Sequence, residues 1–406
     1  MTGGTAGRDG ARGGGKTLDI GVITPIPTPY RDPFWDAVAS VPGTSLHVYY
    51  CASVTADRPW KAAWEKRFSS EVLPGTNVMA AFPSQGFSYW NPLIRRRLDE
   101  ASHDALIIGG YNYPTMIAAM AHARRRRIPY FLMSESHLSE PRASWRRVIK
   151  YPLVRSVVKG AAGCFPTGTW AREYLLAYGA NPDRMWALPN VPDVEALHSR
   201  SVELDGERDS LRRRLGVGDD PVVLFVGRLV PFKRVDLLVN AFAKVAKSHR
   251  ARLIIIGDGV ERPALEAMAE SSGIADRVEF RGFVEPSEIA GWYAIADMVA
   301  LPSVGETWSV ALLEALASGV HVVTTDTVGA AADAVNDPAV GTIVPSGDTD
   351  AFAAAIAARL DHPVDRTAVR ETWAPVREGF RYDVIARRTV AAIRDTVHGS
   401  GSRHGR

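Results

Sequence analysis

The feature that most constrains the fold of this sequence is an alternation of short, wholly apolar runs with longer segments of helical spacing. The runs LFV at 224–226 and LIII at 253–256 are apolar at consecutive positions, which indicates strands that are buried on both faces. Strands of this kind, separated by helices, form parallel sheets through right-handed βαβ units. The predicted strands are 18–23, 46–51, 105–109, 130–133, 222–226, 253–256, 278–280, 298–301, 321–324 and 342–344.

The series of strands and helices begins twice along the chain, at 17–190 and again at 220–360. The segment between them is charged and lacks strand signals, so we place a domain boundary near Pro192. The predicted fold is α/β, with two Rossmann-like, doubly wound domains at 17–192 and 193–376 that face each other across a cleft. Ligands bind such sheets beyond the carboxyl ends of the strands.

The composition is that of a globular protein, with 46% hydrophobic and 23% charged residues among 406. The ends at 1–16 and 397–406 are polar and glycine-containing, and we expect them to be disordered. Residues 1–16 lack the apolar core of a signal peptide, so a cytoplasmic location is expected. No apolar run reaches the roughly 18 residues of a membrane span. The two cysteines cannot form a disulfide framework or a zinc cluster.

The positive charge of the chain does not indicate a nucleic-acid partner. The net charge is only +3, and no aromatic platform or known reader motif accompanies the basic runs. The basic segment at 142–159 has interleaved apolar residues and is predicted to be helical. It is compatible with peripheral contact at the inner face of a membrane, with an anionic acceptor, or with an ordinary solvated helix face.

The loop that follows the strand at 222–226 carries a glycine and two cations. Gly227, Arg228 and Lys233 come directly before a segment of helical spacing. Guanidinium and ammonium groups bind phosphate oxygens well, so this pattern indicates a phosphate site, although an ordinary solvated loop has the same pattern. The next strand ends in a tight turn at Gly257, which would let a ligand approach the backbone.

Two glutamates eight residues apart follow the strand at 298–301. Glu306 lies in the predicted loop and Glu314 lies on the helix after it. The amides of residues 307–309 would begin that helix, and amides in this position bind anions. A nucleoside diphosphate sugar could extend along this helix, with one carboxylate at the sugar and the other at the ribose. A simpler interpretation of the same spacing is that the helix dipole favours Glu306 near the start of the helix and that Glu314 lies on its surface.

These motifs together resemble a known family. The order GRLVPFK, IIGDG, VEFRGFV, PSVGETWSVALLEALASG and GTIVPSGDTDAFAAAI is similar to that of the retaining glycosyltransferases of family four. The resemblance covers most of residues 220–360. It implies the GT-B architecture, a nucleotide-sugar donor bound by the second domain, and an acceptor bound by the first. It also implies a terminal helix at 377–396 that crosses back to the first domain.

The resemblance implies roles residue by residue. Arg228 and Lys233 match the basic pair that holds the donor diphosphate, and they are catalytic candidates together with Glu306, the first glutamate of the E-x7-E motif. Glu314 matches the second glutamate, at the ribose. Many relatives have Phe-Gly where this chain has Trp308-Ser309. The full set of predicted donor-binding residues is Gly227, Arg228, Lys233, Gly257, Arg281, Phe283, Glu306, Thr307, Trp308, Ser309 and Glu314.

The first domain offers weaker candidates for binding the acceptor or the donor sugar. Thr28 lies in the proline-rich loop TPIPTPYR after the first strand, and Tyr111 lies in the loop after ALIIGG. Many relatives have a histidine near the end of the fourth strand. Here Glu135 and His137 follow that strand, and either is a candidate for the histidine's role. Each of these four residues has an alternative role in loop packing.

The remaining expectations concern metals and other activities. The Asp348-Thr349-Asp350 sequence is expected to cap a helix rather than to bind a metal, and the resemblance implies no obligatory metal or cofactor. A nucleotide-sugar epimerase, a sugar phosphorylase and a non-catalytic sensor of nucleotide sugars are the alternative functions. The acceptor hydroxyl or amine could belong to a small metabolite, a natural product, a lipid or a glycan.

Overall fold

The structure is a computed structural model that describes residues 17–53, 66–79, 87–138 and 144–399. The predictions of disorder at 1–16 and at 400–406 lie outside the described residues. The described part contains two six-stranded sheets and one short hairpin. The α/β class and the pair of doubly wound sheets predicted from the sequence are confirmed.

The first sheet is parallel and has the strand order β3-β2-β1-β6-β7-β8. Strands β6 and β7 are buried along their whole length, which explains their continuous apolar sequences. β4 and β5 pair separately as an antiparallel hairpin. The strands of this half are β1 Leu18–Thr24, β2 Thr44–Tyr50, β3 Ser69–Val72, β4 Thr76–Asn77, β5 Tyr89–Trp90, β6 Ala105–Ile108, β7 Tyr130–Ser134 and β8 Gly163–Pro166.

The second sheet repeats this arrangement, with the order β11-β10-β9-β12-β13-β14. In both sheets the first strand lies next to the fourth strand of its series, so the chain changes direction across the sheet at β1/β6 and at β9/β12. Such a switch point opens a crevice at the carboxyl ends of the strands. The strands are β9 Val222–Val226, β10 Arg252–Ile256, β11 Val278–Gly282, β12 Met298–Leu301, β13 Val322–Thr325 and β14 Gly341–Val344.

Helices cover both sheets and bury their apolar faces against them. Helix α8, for example, buries seven of its eleven residues. The helices are α1 Asp32–Ala39, α2 Ile94–Ala101, α3 Pro114–Arg126, α4 Ser144–Gly160, α5 Thr169–Ala177, α6 Val194–Asp205, α7 Arg208–Arg214, α8 Val235–Val245, α9 Arg262–Ser271, α10 Ile289–Ile295, α11 Val310–Ala317, α12 Gly329–Ala334, α13 Thr349–Asp361, α14 Arg366–Gly379 and α15 Tyr382–Gly399.

The last helix crosses from the second half of the molecule to the first. α15 packs against α1, and the Tyr382 hydroxyl lies 3.1 Å from the main-chain oxygens of Tyr30 and Val191. The predicted helix at 377–396 differs in its bounds, because the chain breaks between α14 and α15 at residues 380–381. The predicted tail at 397–406 also begins too early. Helix α15 continues to Gly399, six residues beyond Ile393, the last of its buried residues.

Four strands were not predicted from the sequence: the two-residue strands β4 and β5 of the hairpin, and β3 and β8 of the first sheet. The last two each have a physical reason. β3 is an edge strand whose residues are mostly exposed, so it has no apolar run. β8 has the sequence GCFP, in which glycine and proline weaken the strand signal. Both lie at the edges of the first sheet, where proline is tolerated because one ladder is missing.

The basic segment at 142–159 falls mostly on α4. From residue 151 onward, α4 buries Val154, Val157 and Val158 and exposes Tyr151 and Leu153, so part of its apolar content packs into the first domain. Among the helices that the structure describes, none is both long enough and apolar enough to span a membrane. Peripheral contact by 142–159 stays a prediction.

Candidate active site

The core of the candidate donor site is an ion pair between Lys233 and Glu306. Lys233 ends the short 3-10 turn Pro231–Lys233 that follows β9, and Glu306 lies in the loop after the neighbouring strand β12. Their side chains are about nine-tenths buried, with 2.5 Å between Nζ and Oε1. The second carboxylate oxygen of Glu306 is buried and has no hydrogen-bond partner among the described residues. A substrate hydroxyl bound beside Glu306 would give this oxygen a hydrogen-bond partner.

Arg228 approaches Lys233 across the ring of Phe232. The Arg228 Cζ lies 5.9 Å from the ring centre, and the Lys233 Nζ lies 5.6 Å from it. Two cationic groups thus share one partly exposed aromatic ring at the carboxyl end of β9. This arrangement is suited to a doubly charged diphosphate.

Glycines let two loops of this site lie against each other. Gly257 has a φ of +125°, and a Cβ added there would lie 1.9 Å from the main-chain oxygen of Gly227. The amide of Gly227 in turn donates to Ile256, and the amide of Leu229 donates to Asp258. The turn after β10 therefore fixes the backbone that carries Arg228, which is why the sequence has glycine here.

The second half of the site is the loop that leads into α11. Its main chain is fixed at Glu306, whose amide donates to Thr327 and whose oxygen accepts from Gly329. Ser309 is the residue that precedes α11, and its buried hydroxyl has no hydrogen-bond partner in the described part of the chain. The first amides of a helix lack partners within the helix. The amides after Thr307 are therefore available to an anion.

Glu314 lies inside the same helix and faces Tyr293. The Tyr293 hydroxyl donates to Glu314 Oε2 at 2.8 Å. Burial raises the pKa of Glu314 above its ordinary value of 4.5, and the hydrogen bond from Tyr293 opposes this rise. Burial of the charged form of Glu314 therefore lowers the stability of the ligand-free protein.

We expect Glu314→Gln to raise the Tm of the ligand-free protein at pH 8 relative to the wild type. A carboxyl whose folded pKa is raised destabilises the fold progressively as pH rises from its ordinary value toward the raised one. The glutamine lacks this penalty, so the difference from the wild type should vanish near pH 4. Calorimetry at both pH values measures this, with the exposed Glu270→Gln as control. Equal Tm values for the wild type and Glu314→Gln at pH 8 would contradict the argument.

The side chain of Trp308 does not lie where a donor-binding residue was predicted; it contacts Asn190 and Gly168 instead. Its indole is only 5% exposed and donates through Nε1 to the main-chain oxygen of Asn190 at 2.7 Å. Asn190 belongs to the segment that connects the two domains. The ring also packs against Gly168, where an added Cβ would lie 2.3 Å from it. The side chain of Trp308 therefore packs where the two domains meet.

The two candidate residues at the end of β11 differ in their surroundings: Arg281 is held by contacts within the domain, and Phe283 is exposed. The Arg281 guanidinium donates to the main-chain oxygen of Leu215 at 2.7 Å, forms an ion pair with Glu279, and lies 5.0 Å from the Trp292 ring centre. Its side chain is held by these contacts within the domain. The family resemblance implies that the nucleotide base lies at the end of β11, and Phe283, which is 63% exposed there, is the candidate for stacking on it.

A cavity of about 770 Å³ lies on the first domain's side of the cleft. Residues after β1, β6 and β7 line it, and Thr307 of the donor loop closes one side. The sequence candidates Thr28, Tyr111 and Glu135 all line this cavity, whereas His137 is not among its lining residues. The structure thus brings together three of the four first-domain candidates, Thr28, Tyr111 and Glu135, around this cavity.

These candidates have different surroundings. The Tyr111 hydroxyl bonds to Tyr174 at 2.5 Å and is buried, so most of this side chain packs into the domain. Thr28 accepts a hydrogen bond from the amide of Arg31 at 3.1 Å and stabilises the loop after β1. His137 is buried, with its ring 5.4 Å from that of Trp170. Of these four candidates, only Glu135 is exposed, with about half of its side-chain surface accessible.

Two residues that the sequence analysis did not select complete this region. The Glu135 carboxylate accepts from Asn190 Nδ2 at 2.6 Å and from Arg31 Nη2 at 3.4 Å. Arg31 is the last residue of the proline-rich loop, so its place in that loop could have suggested it. Asn190 has no sequence signal of this kind, because it lies 55 residues from its partner.

The Asp-Thr-Asp sequence behaves as a helix start. The Asp348 side chain accepts from the amide of Ala351 at 2.9 Å and caps α13. Asp350 forms an ion pair with Lys244. Within the described ranges, no group of three or more histidine, cysteine, aspartate or glutamate side chains is arranged to hold a metal ion.

Comparison with known proteins agrees with this geometry. Residues 220–362 match the family described as "Glycosyl transferases group 1", and residues 20–191 match the "Glycosyl transferase 4-like domain". The fold and the site define a GT-B glycosyltransferase. The chain belongs to the family-four type of these enzymes, which confirms the resemblance seen in the sequence.

Two curated relatives are the D-inositol 3-phosphate glycosyltransferases of Kribbella flavida and Acidothermus cellulolyticus. They are 33% and 34% identical to this chain, over 55% and 65% of its length. The matches span 54% and 59% of those proteins, so the chain matches little more than half of the relatives' length.

Two solved structures have the same fold across almost the whole chain. HepE from Anabaena, in complex with UDP and glucose, has a TM-score of 0.69 and 18% identity, and it covers 93% of this chain and 99% of its own. Sucrose-phosphate synthase from Thermosynechococcus elongatus has a TM-score of 0.70 and 17% identity, with 94% and 100% covered. At these identities the likeness concerns the fold alone.

Proposed function

We propose that this protein is a retaining glycosyltransferase that moves a sugar from a nucleoside diphosphate donor to an acceptor hydroxyl or amine. The observation that carries the proposal is the buried pair of Lys233 and Glu306 beside Arg228, at the point where α11 begins. Family membership supports the reaction class. UDP is the nucleotide to test first, because it is bound in the HepE structure.

In this proposal the donor diphosphate replaces Glu306 as the main partner of Lys233. The ammonium group and the Arg228 guanidinium then offset the charge that grows on the departing phosphate as the glycosidic bond breaks. Glu306 is released to accept hydrogen bonds from the donor sugar, and Glu314 accepts them from the ribose. The helix amides after Thr307 bind the diphosphate.

Retention follows if the acceptor approaches the face from which the nucleotide leaves. The bond from the sugar carbon to the phosphate oxygen breaks first and leaves an oxocarbenium-like centre. The acceptor oxygen forms the new bond on the same face, and its proton passes to the departing phosphate oxygen. The cation pair supplies the charge stabilisation, so we propose that no metal ion is required.

The acceptor is proposed to occupy the cavity on the first domain's side. This cavity adjoins Thr307, so a molecule within it would lie beside the donor loop. Its polar residues include Glu135, whose carboxylate can accept hydrogen bonds from hydroxyl groups of a bound molecule. The names of the relatives make a cyclitol phosphate the first acceptor to test, among small polyhydroxylated molecules.

A thermal-shift screen of nucleotide sugars tests the donor half of this proposal. A ligand at a hundred times its Kd stabilises the native state by about 2.7 kcal/mol, which raises Tm by several degrees. We expect UDP and one UDP-sugar to give this shift. The absence of a shift with every uridine, guanosine, adenosine and thymidine diphosphate sugar would contradict a donor site.

Product analysis distinguishes transfer from the alternatives. We expect nucleotide release to depend on an added acceptor, to continue in EDTA, and to give a product with the donor's anomeric configuration by NMR. Conversion of the donor to another nucleotide sugar would indicate an epimerase. Phosphate-dependent cleavage of a glycoside would indicate a phosphorylase, and binding without any turnover would indicate a sensor.

A further inference from the structure

Asn190 contacts both halves of the candidate site at once. Its side-chain Nδ2 donates to Glu135 Oε1 at 2.6 Å, while its main-chain oxygen accepts from Trp308 Nε1 at 2.7 Å. A carboxylate oxygen accepts hydrogen bonds, so this contact fixes the amide with its nitrogen toward Glu135. Asn190 is only 6% exposed, and its position is therefore set by these neighbours.

Glu135 is held from two sides but stays accessible to the cavity. Asn190 is one partner, and Arg31, which is only 7% exposed, is the other at 3.4 Å. Even so, 49% of the Glu135 side-chain surface is accessible, and the residue lines the cavity. A carboxylate that is oriented in this way, with an open side, is suited to accept hydrogen bonds from a hydroxyl-bearing molecule.

Trp308 connects this carboxylate to the other domain. It lies between Thr307 and Ser309, in the loop where the diphosphate is proposed to bind, and its ring fills the space beside Gly168. The indole N–H, which donates to the main-chain oxygen of Asn190, is thus a direct contact between the donor loop and Asn190.

We propose that Asn190 is a positioning residue, which orients Glu135 toward a hydroxyl of a polyhydroxylated acceptor and links that carboxylate to the donor loop through Trp308. The proposal rests on the proposed function of the same site. Its consequence is that filling the donor site steadies Glu135 before the acceptor enters. Glu135 binds the acceptor directly, whereas Asn190 acts through Glu135.

Hydrogen–deuterium exchange tests this link without any acceptor. With saturating UDP we expect slower exchange in the segment 305–312, which forms the donor loop. We also expect exchange in 133–138 to slow by about fivefold, at the low end of ordinary coupling between sites. In Asn190→Leu and in Trp308→Phe the first effect should remain and the second should disappear. The exposed Asn240→Leu, on α8, serves as the matched control.

The outcomes separate this inference from the proposed function. Protection of 305–312 with unchanged exchange at 133–138 in the wild type would overturn the link alone. Persistence of the 133–138 effect in both variants would also overturn it. If no nucleotide protects 305–312, the proposed function fails and the inference fails with it. Trp308→Phe removes the indole N–H and keeps an aromatic ring, so it serves if Asn190→Leu does not fold.

Kinetics give a second readout with an identified acceptor. Asn190→Leu removes a hydrogen bond to a charged group, so it should raise the acceptor KM by about tenfold or more. The donor KM should change by less than about twofold. An equal rise in both KM values, or a fall in kcat alone, would indicate a merely structural role and would overturn the positioning role.

Discussion

Lys233→Ala is expected to lower kcat/KM for sugar transfer by about a hundred- to a thousandfold, the usual effect of removing one group that stabilises developing charge. The ammonium is about nine-tenths buried and lies against Glu306, in surroundings where a charge acts strongly. Its removal takes one of two cations from the leaving diphosphate and leaves the Glu306 carboxylate buried without its ion-pair partner. Steady-state kinetics at saturating acceptor measures the loss.

The matched control for this variant is Lys244→Ala. Like Lys233, Lys244 forms an ion pair with a carboxylate, that of Asp350. Lys244 lies on α8 and its side chain is 47% exposed, and exposed ion pairs contribute little to stability. We expect its kinetics to equal those of the wild type. A binding measurement separates folding from function, because Lys233→Ala should also lose most of its UDP affinity while it keeps its circular dichroism. Full activity of Lys233→Ala would remove the argument for the donor site.

The contact between Lys233 and Glu306 illustrates what could be predicted from the sequence. The two residues are 73 positions apart, yet each follows a buried strand whose apolar run is visible in the sequence. In a doubly wound sheet the first and fourth strands are neighbours, as β9 and β12 are here. Their following loops therefore meet at the switch point. The fold of the second domain and the outline of its site follow from this pattern.

Trp308 illustrates what could not be predicted. The motif places this residue at the start of α11, and that position is where the structure has it. The direction of its indole depends on Asn190, which is 118 residues away and carries no periodic signal. A contact between domains depends on how two surfaces fit together, and spacing within one domain does not contain that information.

The site in the first domain shows the same limit. Arg31 and Glu135 are in contact although they are 104 residues apart in the sequence. Both follow strands of one sheet, so the sheet topology alone could have predicted that they lie close together. The loop lengths decide which residue of each loop points into the cleft. Within one loop, Glu135 lines the cavity while the ring of His137, two residues later, packs on that of Trp170.

We expect Gly257→Ala to destabilise the second domain by about 3 kcal/mol or more, because it combines two effects. The residue has a φ of +125°, and its new Cβ would lie 1.9 Å from the main-chain oxygen of Gly227. Backbone atoms cannot turn aside as a flexible side chain can. The loop that carries Arg228 would have to move, so UDP affinity should fall together with stability.

Gly273→Ala separates these two effects. Gly273 also has a positive φ, of +68°, but no atom of the surroundings lies within 4 Å of an added Cβ. Its alanine variant carries the backbone strain alone, about 1–2 kcal/mol, and lies away from the donor loops. We therefore expect a modest loss in urea unfolding and unchanged UDP affinity. If Gly257→Ala loses no more stability than Gly273→Ala and still binds UDP as the wild type does, then the close packing of the two loops does not determine the position of Arg228.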